Sequence, residues 1–167
     1  MRRQVLIGLL FLSVIGGMAA LGVFGSGSES RVVKKQAPAL PSELITRPRV
    51  TVAALRGKPA AINFWASWCT PCRREAPELE QLHRSRNSPG KIIGVNWNDR
   101  MSAARAFVRD HRWTFPNLRD ADGAVGHAYG IVGLPTTVIL DSRGRIAELL
   151  AGPQTVHSLR AAFDSAD

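Results

Sequence analysis

The chain has two cysteines, Cys69 and Cys72. They lie where an apolar run, Ala60 to Ala66, gives way to an amphipathic run beginning at Thr70. A C-x-x-C at a strand-to-helix turn is a pattern of thiol–disulfide exchange. At the first turn of a helix a sulfur faces unpaired backbone N–H groups and the positive end of the dipole, and both favour an anion. The thiol pKa is lowered there, and the thiolate is the species that attacks a disulfide. Cys72 falls about one turn behind, close enough to form a short ring with Cys69. Pro71 suits the first turn, where a missing N–H costs nothing.

Composition narrows the other chemistries. With 167 residues, 45% of them hydrophobic, the chain can build one cored domain plus an appendage. The formal charge of +9 is scattered and not interleaved with aromatics, so it does not mark a nucleic-acid surface. A basic surface toward an acidic partner or anionic lipid is the milder implication. The cysteine pair closes too short a loop to staple a fold. It also falls short of the four ligands a zinc site uses. His83, His111, His127 and His157 stand apart without ligand spacing, so no metal site is expected.

Residues 1–24 differ in kind from the rest. Arg2 and Arg3 precede an uncharged stretch from Val5 to Phe24, about 30 Å long as a helix, which matches the hydrocarbon core of a bilayer. The basic N-terminus would stay in the cytoplasm and everything after Phe24 would face outward. A cleaved signal peptide is the competing reading, with a passable site at Ala20-Leu21-Gly22 but an overlong apolar run. Residues 25–37, opening G-S-G-S-E, form a flexible linker. Residues 38–167 form the folded domain.

The elements that must position the cysteines follow from periodicity. Between prolines, Ala39-Leu40, Leu44-Ile45 and Val50 to Leu55 suggest a small hairpin or edge strand. Ala60 to Ala66, apolar on both faces except at Asn63, suits a strand buried in a parallel sheet. A helix is expected from about Thr70 to Arg86, kinked at Pro77. Further strands are expected over Lys91 to Trp97, Thr136 to Leu140 and Arg145 to Ala151, the last two joined by Asp141-Ser142-Arg143-Gly144. Helices are expected over Ser102 to Asp110, Asp122 to Tyr129 and Val156 to Phe163. The alternation is that of an α/β sheet with helices on both faces.

Several ordered segments carry a family resemblance. They are Gly57-Lys58-Pro59, N-F-W-A-S-W-C-T-P-C-R-R-E-A-P, Gly94-Val95-Asn96, T-F-P-N-L-R-D-A-D-G, Ala128-Tyr129-Gly130-Ile131 and G-L-P-T-T-V-I-L-D-S-R-G-R-I. Over residues 38–163 the chain resembles the TlpA-like branch of the thioredoxin superfamily, with its membrane-anchored oxidoreductases of the ResA and CcmG type in cytochrome c maturation. The resemblance implies a thioredoxin-like fold with a central mixed sheet. It implies Cys69 as nucleophile, Cys72 as resolving cysteine, and a cis-proline at Pro135 that lets Leu134 pair with a bound peptide. Thr70 and Pro71 fall with them at the client surface. Trp68 matches a tryptophan bordering that surface, although core packing is its alternative. No metal or organic cofactor is implied. Partners would be a disulfide-bearing client such as apocytochrome c and a membrane electron donor of the DsbD or CcdA type, outside the cytoplasmic membrane.

Asn63 and Glu75 set this chain apart from cytosolic thioredoxin, which has a buried aspartate where Asn63 stands. An amide cannot take the proton that Cys72 must lose. Glu75, three residues after Cys72, matches a glutamate that ResA-like proteins keep beneath the cysteines, where it could relay that proton. Alternatively Glu75 is a solvated residue pairing with Arg74. Other functions compatible with the pattern are a general disulfide reductase, an oxidant running the same ring backward, and a Cu(I)-binding module. A thiol peroxidase would want Thr and Pro where Ala66 and Ile62 stand.

Overall fold

The computed structural model describes residues 35–166, residue 89 excepted. The expected anchor over residues 1–24 lies outside the described residues, as does most of the expected linker. Among the described residues no helix is long and apolar enough to cross a membrane.

The strand that leads into the cysteines, β3 (Ala60–Trp65), is buried at every position. Its side chains alternate between two cores, as the period of a strand requires. Ile62 and Phe64 join a cluster with Leu55, Val95, Tyr129, Val138 and Leu140. Ala61 and Trp65 join another with Ala76, Leu79, Phe107, Phe115 and Phe163. A strand covered on both faces stabilises itself by burial and needs no polar alternation, which is why its run is continuous. Strand β4 (Lys91–Trp97) lies parallel to β3 on one side, and β6 (Thr136–Leu140) lies antiparallel on the other. Strand β5 (Asn117–Asp120) adds in parallel to β4, and β7 (Arg145–Ala151) forms the expected hairpin with β6.

Two-residue strands finish the sheet. β1 (Lys35–Gln36) pairs with β7 and β2 (Glu43–Leu44) with β5, giving the order β1-β7-β6-β3-β4-β5-β2. Of the hairpin or edge strand expected before the core strand, it is the edge strand that forms: β2 contains Leu44 and pairs with β5. The two short pieces lie on opposite edges of the sheet, and Val52–Leu55 is a helical turn, α1, capped by the Thr51 hydroxyl. Thr51 in extended geometry accepts from the Ala54 N–H, and Ala53 and Ala54 favour the helix. Lys35 and Gln36, within the stretch expected as linker, pair with Ile146 and Arg145 of β7.

Helix α2 (Thr70–Arg84) carries Cys72, Ala76, Leu79 and Leu82 on its buried face. It runs on through Pro77 and ends at Arg84, two residues before the expected Arg86. Helices α3 (Met101–Asp110) and α5 (Val156–Ala166) supply Phe107 and Phe163 to the same core. Helix α4 (Ala124–Ala128), shorter than the expected span to Tyr129, starts after Gly123 at φ +77°. With α1 and Tyr129 it covers the other face, so the mixed sheet has helices on both sides.

Trp65 centres the core behind the cysteines. Its ring lies 4.6 Å from Phe107 and 5.0 Å from Trp113, and its Nε1 donates to Asn117 Oδ1 at 3.1 Å. Only a hydrogen fits at Gly94 opposite, since a Cβ there would sit 1.9 Å from Asn117 Oδ1 and 2.9 Å from Trp65 Nε1. Gly94→Ala is expected to break this bond and overpack the sheet, costing about 3 kcal/mol in chemical denaturation. Denaturation midpoints equal to those of the parent would contradict the close approach.

Candidate active site

Three residues, Ala66 to Trp68, connect β3 to α2, and Cys69 is the N-cap of the helix at φ −81°, ψ 104°. Its Sγ takes the place of a capping oxygen, accepting from the Cys72 N–H at 3.2 Å. The two sulfurs are bonded, with Cα atoms 5.3 Å apart. Cys69 retains 4% of its surface and Cys72 only 1%, so both are buried and Cys69 is the slightly more accessible of the two. Thr70 is exposed, Pro71 is half-buried, and Arg73 and Arg74 follow on the exposed side. Positive charge and the helix start act in the same direction, favouring a thiolate at Cys69 once the bond is reduced.

The antiparallel pairing of β3 with β6 brings a second loop to the same end. Phe64 lies opposite Thr136, so the segment before β6 emerges beside the redox turn. Pro135 is buried and its bond with Leu134 is cis, as the resemblance implied; Arg47–Pro48 is also cis. Leu134 is half-buried. Trp68 is 58% exposed and Val132 98%. Trp68 therefore stands on the surface and not in the core, its Nε1 donating toward the Asn98 carbonyl at 3.4 Å.

Glu75 is not a solvated residue. It is 1% exposed. One oxygen accepts from Asn63 Nδ2 at 3.0 Å and the other from the Gln154 N–H at 3.0 Å. Asn63 spends its second amide hydrogen on Thr137 Oγ1 at 3.0 Å, and its Oδ1 has no partner among the described residues. Burial raises the Glu75 pKa from an ordinary 4.5 to about 7, with the bonds from Gln154 and Asn63 pulling the other way. A buried carboxyl one turn after Cys72 can thus hold or release a proton near neutrality. Pro77 lies on the exposed side of α2, outside this cluster.

Sequence reasoning passed over Thr137, Gln154 and the Asp99–Ser67 contact. Gln154 acts through its backbone N–H, for which side-chain identity carries no signal. Asp99 follows β4 in W-N-D-R, a plain polar turn in sequence, yet it accepts from the Ser67 N–H at 2.6 Å and the Ser67 hydroxyl at 3.0 Å.

A C-x-x-C at the start of a helix, flanked by a cis-proline loop on a mixed sheet, defines a thioredoxin-like thiol–disulfide oxidoreductase. A model of the AhpC/TSA family matches residues 33–149. The thiol:disulfide interchange protein HelX of Rhodobacter capsulatus is 35% identical over 158 residues, covering 88% of each chain. The thiol–disulfide oxidoreductase ResA of Bacillus subtilis is 30% identical, over 88% of this chain and 82% of its own. Among solved structures, a secreted Mycobacterium tuberculosis disulfide oxidoreductase homologous to E. coli DsbE superposes with a TM-score of 0.65. It is 25% identical, covering 75% of this chain and 95% of its own. The chain belongs to the AhpC/TSA family, among the thiol–disulfide oxidoreductases of the ResA and HelX kind.

The raised pKa of Glu75 fixes a sign. Between pH 4.5 and about 7 the folded protein keeps a proton that the unfolded chain has released. Stability therefore falls as pH rises through that window. Urea denaturation of the oxidised protein at stepped pH is expected to show this slope, and Glu75→Gln to flatten it. A parent curve with no such decline would place the Glu75 pKa near its ordinary value.

Proposed function

We propose that the protein is a membrane-tethered, extracytoplasmic disulfide reductase whose client is an apocytochrome c. The observation that supports it most is the pairing of Cys69 at the start of α2 with a buried carboxyl of pKa about 7 one turn beyond Cys72. In the proposed cycle the Cys69 thiolate attacks a client disulfide, forming a mixed disulfide and releasing one client sulfur, which takes up a proton. Cys72 loses its proton toward Glu75 and attacks Cys69 Sγ. The bond to the client breaks, its second sulfur leaves as a thiolate, and Cys69–Cys72 is oxidised. Two electrons pass from protein to client.

Recharging the pair outside the cytoplasm requires an electron donor in the membrane, of the DsbD or CcdA type. The uncharged stretch from Val5 to Phe24 is the proposed anchor. No bond among the described residues engages the Leu134 backbone, which leaves it open to pair with an extended client segment. Trp68, Thr70, Pro71 and Pro135 would border that segment. The family's name also admits a peroxidase reading, but Ile62 and Ala66, where such a site would want Pro and Thr, are fully buried apolar residues.

Cys72→Ser in the full chain is expected to trap the client on Cys69. Identification of a cytochrome c or a maturation partner supports the assignment, whereas an unrelated spread of secreted proteins would make this a general reductase. Glu75→Gln is expected to slow decay of a preformed mixed disulfide by about 100-fold, the scale of a lost acid–base group, with an unchanged circular dichroism spectrum. Equal decay rates in variant and parent would remove Glu75 from the reaction.

A further inference from the structure

The turn that delivers Cys69 is held from outside itself. Ser67 offers three polar groups, and none is used within the turn. Its N–H and hydroxyl both donate to Asp99, at 2.6 and 3.0 Å, and its carbonyl accepts from Arg73 Nη2 at 2.6 Å. Asp99 stands in the connection from β4 to α3. Its carboxylate also accepts from Asn96 Nδ2 at 3.0 Å and from the Arg100 N–H at 2.7 Å. One of its four donors therefore belongs to the entry of α3, and two belong to the redox turn.

The backbone of Asp99 is fixed in turn. Its carbonyl accepts from Arg119 Nε and Nη2 at 3.3 and 3.0 Å, and Arg119 pairs with Glu43 at 2.9 Å. A chain of polar contacts thus runs from the edge strand β2 through Arg119 and Asp99 to Ser67, two residues before the nucleophile. Burial alone would raise the Asp99 pKa, but the donors of Asn96, Ser67 and Arg100 bring it below the ordinary 3.8. The clamp is charged at any pH at which thiols exchange.

We propose that Asp99 is a positioning residue for the exchange reaction: through Ser67 it holds the turn so that Cys69 Sγ stays at the N-cap of α2. The inference rests on Cys69 being the attacking sulfur. Without the clamp Ser67 loses two partners, the turn relaxes, and the sulfur drifts from the backbone N–H groups that favour its thiolate. The direction is diagnostic. Deleting a nearby anion would by charge alone lower a thiol pKa, whereas loss of the N-cap position raises it.

The test is iodoacetamide alkylation of the reduced full chain across pH, with mass spectrometry assigning the label to Cys69. Asp99→Ala is expected to move the alkylation midpoint upward and slow labelling at neutral pH about fivefold, the size of a helix-terminus effect. Asp99→Asn keeps an acceptor for the Ser67 N–H and should recover most of the reactivity. Ser67→Ala, which loses only the hydroxyl bond, should fall between parent and Asp99→Ala. A midpoint in Asp99→Ala that is unchanged or lower overturns the proposal. If that variant does not fold, an unchanged midpoint in Ser67→Ala does so. A parent whose Cys69 is itself unreactive near neutrality overturns both this inference and the reading beneath it. A reactive parent with indifferent variants overturns this inference alone.

Discussion

A carboxyl group with almost no access to water governs how this domain is put together. Burying an unpaired carboxylate costs several kcal/mol, so it survives only with donors on its oxygens or a proton of its own. Glu75 has both options. Asn63 reaches it from the central strand and the Gln154 N–H from the segment between β7 and α5. One turn on, Glu78 accepts from the Val156 N–H at 2.8 Å, at the start of α5. The same connecting segment donates from Gly152 to the Pro135 carbonyl at 2.9 Å. Helix α2, strand β3, the cis-proline loop and the entry of α5 therefore meet around one ionisable group. Its partial satisfaction leaves it poised: two donors keep the anion tolerable, and burial keeps the acid within reach of neutral pH.

The long elements were legible because their patterns have one solution. Ala60 to Trp65 is apolar except at Asn63 and flanked by a turn and by the cysteines. The run from Thr70 repeats its apolar residues at helical spacing. The stretch from Asp141 to Gly144 separates two strand-like runs. The edges were legible only in part, since an edge strand was expected around Leu44 but neither its partner nor its length was. Two residues at Lys35–Gln36 and two at Glu43–Leu44 have no period to detect, and they are strands because β7 and β5 present open edges to them. Val52–Leu55 is the usual ambiguity of a short apolar run, settled locally by the Thr51 hydroxyl.

The site divides along the same line. Cys69, Cys72, Glu75 and Asn63 lie within thirteen residues of one another, so strand and helix geometry alone place them together. Thr137 and Gln154, which meet this group, and Asp99, which meets the adjoining Ser67, come from elsewhere in the chain and arrive only through the order of the sheet. Their contributions are a hydroxyl, a backbone N–H and a loop carboxylate, chemistries present at dozens of other positions. What sequence withheld was the company those groups keep.

The arrangement at the surface constrains what can be exchanged. Cys69, with 4% of its area accessible, shares its end of the sheet with the exposed Trp68 and with the loop bearing Val132 in open solvent. Both reach the surface at one end because β3 and β6 run in opposite directions and Phe64 meets Thr136. A sulfur with so little exposed area is poorly reached from a flat, rigid surface. A client that offers its cysteine on an extended segment meets no such obstacle and covers apolar area as it arrives. Arg73 and Arg74, on the exposed side of α2, add positive charge at this end. Shape, burial and charge therefore all act where the cysteines approach the surface.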